Sequence, residues 1–155
     1  MPMRFRVTIF GVLLISALLG CQKETIMPGI TGGSLKAEVN GNTFEATGIL
    51  AFRTQPTSTT GEGFYVSGNT TIGFPQITLT LYSSLQGKYQ LGVSGSGNTQ
   101  ASYALSVDNQ ELSISGNINI TTINYSEGGT VKGTFEFATA TNSITNGSFE
   151  IRFSN

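Results

Sequence analysis

Apolar and polar residues alternate with a period of two along almost the whole chain from residue 35 onward. Successive side chains of a β-strand point to opposite faces, so this pattern predicts strands with one buried and one solvent-facing side. No window shows the 3.6-residue period of an amphipathic helix. Short runs bounded by Gly, Asn, Ser and Pro are typical of an all-β antiparallel sandwich or barrel, here of about eight or nine strands. Periodicity does not specify strand order, so both architectures remain open.

The expected core consists of the apolar positions that share one parity within each run. Gly116 lies in a long run, 112–120, and is expected to mark a bend. The core positions are Leu35, Ala37, Val39, Phe44, Ala46, Leu50, Phe52, Phe64, Val66, Ile77, Leu79, Leu81, Tyr89, Leu91, Val93, Tyr103, Leu105, Val107, Leu112, Ile114, Ile118, Ile120, Val131, Phe135, Phe137, Phe149, Ile151 and Phe153.

Two Asn-Gly pairs carry the clearest local signals. Asn40-Gly41 lies between two alternating runs, which predicts a hairpin. The second pair lies in 144–153, where Ile144 has even parity but the later apolar positions are odd. Either Asn146-Gly147 is a hairpin turn, or the turn lies earlier and the pair forms a β-bulge. We favour the bulge with Gly147 at positive φ, because it places the apolar residues of both strands in one core.

The residue order at the amino terminus is that of a secretory signal. Arg4 and Arg6 precede an uncharged apolar run, 7–19, which is followed by Gly20. As a helix this run is about 20 Å long, shorter than the roughly 30 Å hydrocarbon core of a bilayer. We therefore predict a signal peptide at 1–20 rather than a permanent membrane helix.

Cys21 is the only cysteine and directly follows this segment. The residues 18–21 resemble the lipobox of bacterial lipoproteins, which implies cleavage before Cys21 and attachment of lipid to its sulfur. Two or three acyl chains of the palmitate type make a stable anchor. Gln22 resembles the pattern that directs lipoproteins to the outer membrane, and which face of that membrane is occupied stays open. We assign 21–33 to the lipidated terminus and a flexible tether, and 34–155 to one domain.

Four segments behind the lipobox occur in a familiar order: AEVNGNTFEATG (37–48), GNINIT (116–121), GTFEF (133–137) and ITNGSF (144–149). Together they resemble a family of uncharacterised Bacteroidetes-type lipoproteins that is classed as a domain of unknown function. The resemblance covers about 35–153. It implies a lipoprotein and a β fold, and it brings no catalytic residues with it.

Composition excludes several kinds of chemistry. The chain has no histidine, so the usual general base, Ser-His-Asp and Cys-His nucleophiles and His-based zinc sites are missing. The formal net charge is −1 and no basic stripe is present, so we expect no nucleic-acid partner. Glycine-rich 61–63 and 94–98 open no helix and precede no Lys-Ser/Thr, so they are loops rather than phosphate cradles.

Carboxylates are the remaining catalytic candidates. Glu38 and Glu45 lie on opposite arms of the first predicted hairpin, and Asp108 and Glu111 flank a turn. Alternation with apolar neighbours points them outward, so we interpret them as solvated side chains. Asn109 adds a third oxygen-bearing side chain to the turn that Asp108 and Glu111 flank, and three such ligands are too few for a calcium site. We expect no catalytic residue, no metal and no cofactor.

Three tyrosines, Tyr65, Tyr82 and Tyr125, fall off the expected core face. Exposed tyrosines suit stacking on sugars or contact with a protein, although aromatic side chains that merely cover a strand are more common. The sequence thus favours a lipid-anchored, non-enzymatic envelope domain that binds a glycan, peptide or protein. A structural or assembly component of the outer membrane is the alternative, and the oligomeric state is not specified.

Overall fold

A computed structural model describes residues 30–54, 61–71, 73–92 and 99–154. The predicted signal peptide, Cys21 and most of the tether lie outside the described residues. The regular elements within the described ranges are eleven β-strands. They are β1 (Ile30–Val39), β2 (Asn42–Glu45), β3 (Gly48–Thr54), β4 (Gly63–Asn69), β5 (Gln76–Leu81), β6 (Gly87–Gly92), β7 (Thr99–Ser106), β8 (Asn109–Leu112), β9 (Ser115–Ile123), β10 (Thr130–Ala138) and β11 (Ser143–Phe153).

The strands form two antiparallel sheets, which confirms the predicted class and identifies a sandwich. Sheet A has the order β2-β1-β11-β10-β9-β6, and sheet B has the order β3-β4-β5-β7-β8. Strand β1 begins at Ile30, which pairs with Phe153 at the end of β11. The residues from Ile30 to Gly33 therefore belong to the sheet, although the sequence placed them in the tether.

One hydrophobic cluster fills the space between the sheets. Each contributing strand supplies alternate residues, so most of the predicted core is confirmed. The buried members of the cluster are Leu35, Ala37, Val39, Phe44, Ala51, Phe64, Val66, Ile77, Leu79, Leu81, Leu91, Ala101, Tyr103, Ile118, Ile120, Val131, Phe135, Phe137, Ile144, Phe149, Ile151 and Phe153.

The chain contains more strands than predicted because it changes sheets twice within an alternating run. Ala46 N still donates to Leu35 O in sheet A at 2.9 Å, whereas Thr47 N donates to Asn69 O in sheet B at 2.8 Å. The expected run 44–52 is therefore divided into β2 and β3. The buried residue of β2, Phe44, has an even number, whereas the buried residue of β3, Ala51, has an odd number.

A second corner lies between β8 and β9. Ser113 N donates to Ala101 O in sheet B, and the next amide, of Ile114, donates to Ala138 O in sheet A, each at 2.8 Å. The expected run 112–120 is thus also shared between the sheets. Gly116, predicted as a bend, has φ 130.

The first corner accounts for two core positions that were predicted wrongly. In β3, Ala51 is buried, whereas Leu50 is 59% and Phe52 41% exposed. The expectation that Leu50 and Phe52 join the core is wrong because the switch of sheets moves the buried side to the opposite parity.

A second group of predicted core residues lies around the edge strand β8. Leu105 is at the end of β7, Val107 is in the turn to β8, and Leu112 and Ile114 flank the corner. All four are exposed. For Leu112 and Ile114 the prediction is wrong because the chain leaves sheet B between them. For Leu105 it is wrong because the register of β7 and β8 shifts between Ala104 and Ser106, and Val107 lies in the turn that follows.

The first Asn-Gly pair forms the predicted hairpin turn between β1 and β2. Asn40 has φ 52 and Gly41 has φ 79, and Val39 pairs with Asn42. Two successive positive φ values are those of a type I′ turn, which matches the twist of antiparallel strands. The local sequence alone specifies this turn.

The second pair forms a bulge in the continuous strand β11, as favoured from its parity. Phe135 pairs with Gly147 and Phe137 pairs with Ile144, so β11 carries one extra residue opposite Glu136. The residue at positive φ is Asn146, with φ 51, so the expectation for Gly147 is wrong. Asn adopts this left-handed conformation more readily than most other residues that carry a side chain.

Candidate binding site

The outward face of sheet A carries polar side chains in register across four strands. Lys88 of β6 pairs with Asn119 of β9, Asn119 with Thr134 of β10, and Thr134 with Ser148 of β11. Cross-strand partners point to the same side of a sheet, so these four side chains form a row perpendicular to the strands. We call it the polar row.

A second row lies one pleat away, towards the turn between β10 and β11. Asn117 pairs with Gln90 on one side and with Glu136 on the other. The extra residue of the bulge, Asn146, lies opposite Glu136. The bulge therefore adds an amide side chain at the β11 end of this row.

Residues of the two rows line an open depression with a volume of about 520 Å³, which we call the polar depression. This size falls within the range of small-molecule sites, roughly 300–1,000 Å³. The lining consists of Lys88, Asn117, Asn119, Thr134, Phe135, Glu136, Asn146, Gly147 and Ser148. Amide and hydroxyl groups dominate, in contrast to the apolar lining of most cofactor sites.

Most side chains in the polar depression have no partner within the described part of the chain. Asn117 Nδ2 donates to Glu136 Oε1 at 2.7 Å. Within the described ranges, the other polar lining side chains make neither a side-chain hydrogen bond nor an ion pair. These are Lys88, Asn119, Thr134, Asn146 and Ser148.

Lys88 differs from the other cations of the described part of the chain. Lys36 pairs with Glu45 at 2.7 Å, and Lys132 pairs with Glu150 at 3.0 Å. Arg152 also pairs with Glu150, and Arg53 pairs with Glu62. Among the described residues, Lys88 alone of the lysines and arginines has no acidic partner, so its ammonium group is free for a ligand.

The neighbouring charged cluster on the same face is internally satisfied. Glu150 accepts from Lys132 and Arg152, and these two hydrogen bonds hold the pKa of its carboxyl below the ordinary value. Its charge is thus balanced by adjacent strands.

Two of the tyrosines considered from the sequence lie away from the polar depression. Tyr65 stacks on Phe52 on the outward side of sheet B, with ring centroids 4.6 Å apart and planes at 13°. Tyr82 is half-buried after the end of β5. Neither lines the polar depression.

Tyr125 is a packing residue rather than an exposed aromatic. Its hydroxyl donates to Ser83 O at 3.2 Å, its ring meets Phe153 edge-on at 5.9 Å, and the Arg53 guanidinium lies 5.3 Å from its centroid. Burial raises the pKa of the Tyr125 hydroxyl. The three tyrosines are not brought together into a sugar-stacking surface.

The carboxylates considered as catalytic candidates are likewise separate. Glu45 is held by Lys36, and Glu38 pairs across the hairpin with Thr43. Asp108 is exposed in the turn between β7 and β8.

Glu111 has a structural role that its sequence position did not reveal. Its carboxylate accepts from the Thr139 hydroxyl, from Thr141 Oγ1 at 2.6 Å and Thr141 N at 3.2 Å, and from Asn142 Nδ2 at 3.2 Å. It thereby ties β8 of sheet B to the turn between β10 and β11. The hydrogen bonds from Thr139 and Thr141 lower the pKa of Glu111 from 4.5 to about 2.

We predict that Glu111→Gln lowers stability in a pH-dependent way. A carboxyl with a depressed pKa stabilises the fold fully above its unfolded pKa and loses that effect as pH falls through its folded pKa. The urea midpoint of the variant should therefore lie below that of the wild type at pH 7, and the difference should shrink between about pH 4.5 and 2. Exposed Glu127 serves as the control through Glu127→Gln. A difference that stays constant down to pH 2 would contradict this role.

The polar row was not predicted from the sequence. The outward parity of Asn119, Thr134 and Ser148 was visible, but nothing in the alternation showed that their strands are neighbours.

Within the described ranges, no group of three or more His, Cys, Asp or Glu could hold a metal ion. No described helix has the length and hydrophobicity to cross a bilayer.

Comparison with protein families identifies the family of the chain. The model of a family described as a domain of unknown function, DUF6252, matches residues 31–153. The chain belongs to this family. The matched segment runs from the second residue of β1 to the last residue of β11, so the family corresponds to the whole sandwich. No curated protein and no solved structure matches the chain.

Proposed function

We propose that the protein is a lipid-anchored, non-enzymatic domain of the bacterial outer membrane that binds a glycan, peptide or protein of the envelope. The polar depression is the observation that carries the binding function. Sheet A presents five polar side chains there that are unpaired among the described residues, and such groups are available to hydrogen-bond a ligand without first breaking internal bonds.

The anchor is supported by the amino-terminal residue order and by where the chain joins the sandwich. The residues between Cys21 and Ile30 span at most roughly 30 Å when extended. The edge of the sandwich near Ile30 and Phe153 would therefore stay close to the membrane. The hairpin turn at Asn40-Gly41, at the opposite end of β1, would point away from it.

The absence of enzymatic activity is proposed from how the carboxylates are used. Glu111 joins two sheets, and Glu45, Glu62 and Glu150 form ion pairs. In the polar depression, Glu136 is engaged by Asn117. General acid–base catalysis needs a group whose pKa lies near the working pH. Hydrogen bonds instead lower the pKa values of the Glu111 and Glu150 carboxyls.

An assembly role remains the second candidate because of apolar side chains outside the core. Leu50 and Phe52 are exposed on β3, an edge strand of sheet B, and Leu112 is 53% exposed on the other edge strand, β8. Exposed apolar groups on edge strands are typical of protein contacts. This surface is separate from the polar depression.

The anchor is tested by changing Cys21 in the full chain. We expect the wild type to fractionate with membranes, and intact mass to show cleavage before Cys21 with added acyl groups. Cys21→Ser should abolish the lipid, whereas Ser16→Ala in the signal segment should preserve it. An unmodified Cys21 in the membrane fraction would contradict the proposal.

The binding and assembly roles are separated by site-specific photo-crosslinking in the producing cell. A photoreactive residue replaces Asn119 in the polar row or Leu50 on sheet B. Adducts at position 119 support binding at the polar depression. Adducts confined to position 50 favour the assembly role, and the absence of adducts at both positions contradicts both.

A further inference from the structure

We infer that the ligand of the polar depression is a neutral glycan chain lying across β6, β9, β10 and β11 along the polar row. This rests on the proposed binding function and specifies its chemistry. The inference comes from the donor and acceptor inventory, the charge balance and the backbone pairing of the four strands.

Donors and acceptors in the polar row match those of sugar hydroxyls. The Asn119 side chain offers two N–H donors and a carbonyl acceptor, and the hydroxyls of Thr134 and Ser148 both donate and accept. A sugar hydroxyl also donates and accepts. A sugar can therefore use both the donors and the acceptors of these side chains. A ligand made only of acceptors, such as a polyphosphate, would leave these acceptor groups unmatched.

Charge in the polar depression is balanced and sparse. Lys88 is the only cation and Glu136 the only anion among the lining residues. A polyanion would contact one cation, Lys88, and one group of like charge, Glu136. Tight polyanion binding requires several lysines or arginines. Lys88 acts here as a hydrogen-bond donor to hydroxyls.

Backbone pairing prevents a peptide from adding as a strand across the polar row. Strands β9, β10 and β11 each have a neighbour on both sides in sheet A, whereas β6 is an edge strand. The backbone amides and carbonyls of β9, β10 and β11 are used in the ladders, so recognition above these strands must come from side chains. Strand addition requires an unpaired edge, which places an added peptide beside β6 rather than on the row.

The dimensions suit a short segment of a polysaccharide. Neighbouring strands are separated by about 4.8 Å, so the row from Lys88 to Ser148 extends roughly 15 Å. Phe135, the aromatic residue of the lining, is only 3% exposed and its ring faces the core. Recognition therefore depends on hydrogen bonds from several strands rather than on ring stacking.

The test uses the full chain in detergent on arrays of neutral polysaccharides (xylan, mannan and β-glucan), polyanions (alginate and heparin) and peptides. We expect binding to at least one neutral polysaccharide, with little change on added salt. Asn119→Ala/Ser148→Ala should weaken it by roughly tenfold, because two hydrogen bonds to the ligand are lost. The matched control is Asn109→Ala/Ser106→Ala, an exposed Asn and Ser pair on sheet B.

Each outcome decides the inference. Binding to a neutral polysaccharide that is weakened by the sheet A double variant and unchanged by the control supports it. Binding to peptides that depends on the polar row overturns the glycan assignment but retains the proposed binding function. Binding to polyanions only, or neutral binding unaffected by the double variant, also overturns the inference. No binding on any array overturns both.

Discussion

Phe149→Ala is expected to lower the free energy of unfolding by about 3–5 kcal/mol, the usual range for removing a buried phenylalanine. Phe149 is 3% exposed and lies between the two sheets. Its ring centroid is 5.5 Å from that of Phe64 in sheet B and 6.4 Å from that of Phe135 in sheet A. Truncation would leave a cavity that both sheets border. Because whole domains have about 5–15 kcal/mol of stability, urea unfolding will register this loss clearly.

The matched control is Phe52→Ala, which removes a ring that is 41% exposed and stacked on Tyr65. Loss of such an aromatic pair is expected to lower stability by about 0.5–1.5 kcal/mol. Equal losses for the two variants would show that β3 buries the parity predicted from the sequence rather than the one observed.

Gly147→Val is expected to lower the free energy of unfolding by about 1–3 kcal/mol through overpacking. A Cβ at Gly147 would lie 2.5 Å from two ring carbons of Phe135 and 2.5 Å from its carbonyl oxygen. The backbone of β10 and a buried ring would both have to move. The requirement for glycine is thus steric, since positive φ at this bulge belongs to Asn146.

Gly32→Val is the control for this substitution. Gly32 is exposed on β1, and a Cβ there would meet no heavy atom within 4 Å. Its urea midpoint should stay near that of the wild type. A larger loss at Gly32 than at Gly147 would mean that β10 and β11 are not paired in the observed register.

The parts of the fold that the sequence predicted are those determined by local geometry. Asn40-Gly41 specifies a turn because both residues adopt positive φ readily. The bulge in β11 followed from the parity change between Ile144 and Phe149, which only an inserted residue reconciles with one core. Alternation within each strand identified most of the buried side chains.

The two corners could not be predicted, because alternation does not show which sheet a strand joins. At Ala46 and Thr47 the backbone exchanges one pairing partner for another that is distant in sequence. Leu50 and Phe52 retain the apolar pattern of a buried face, yet they point outward after this exchange. Their burial depends on long-range pairing rather than on local propensity.

The candidate site was beyond local prediction for the same reason. Lys88 and Ser148 are far apart in sequence, and they share a row only because β6, β9, β10 and β11 are consecutive in sheet A. The tyrosines that suggested a sugar surface lie elsewhere. One contribution was foreseeable, since the bulge predicted at Asn146-Gly147 supplies two lining residues of the polar depression.

Titration of isotopically labelled full chain in detergent micelles with a neutral hexasaccharide, followed by NMR, tests the polar depression as the binding site. We expect the largest shift changes at the side-chain amides of Asn119 and Asn146 and at the backbone amides around Thr134 and Ser148. The side-chain amide of Asn109 on sheet B should remain unchanged. Shift changes confined to sheet B, or no changes on sheet A at saturating sugar, would contradict the assignment.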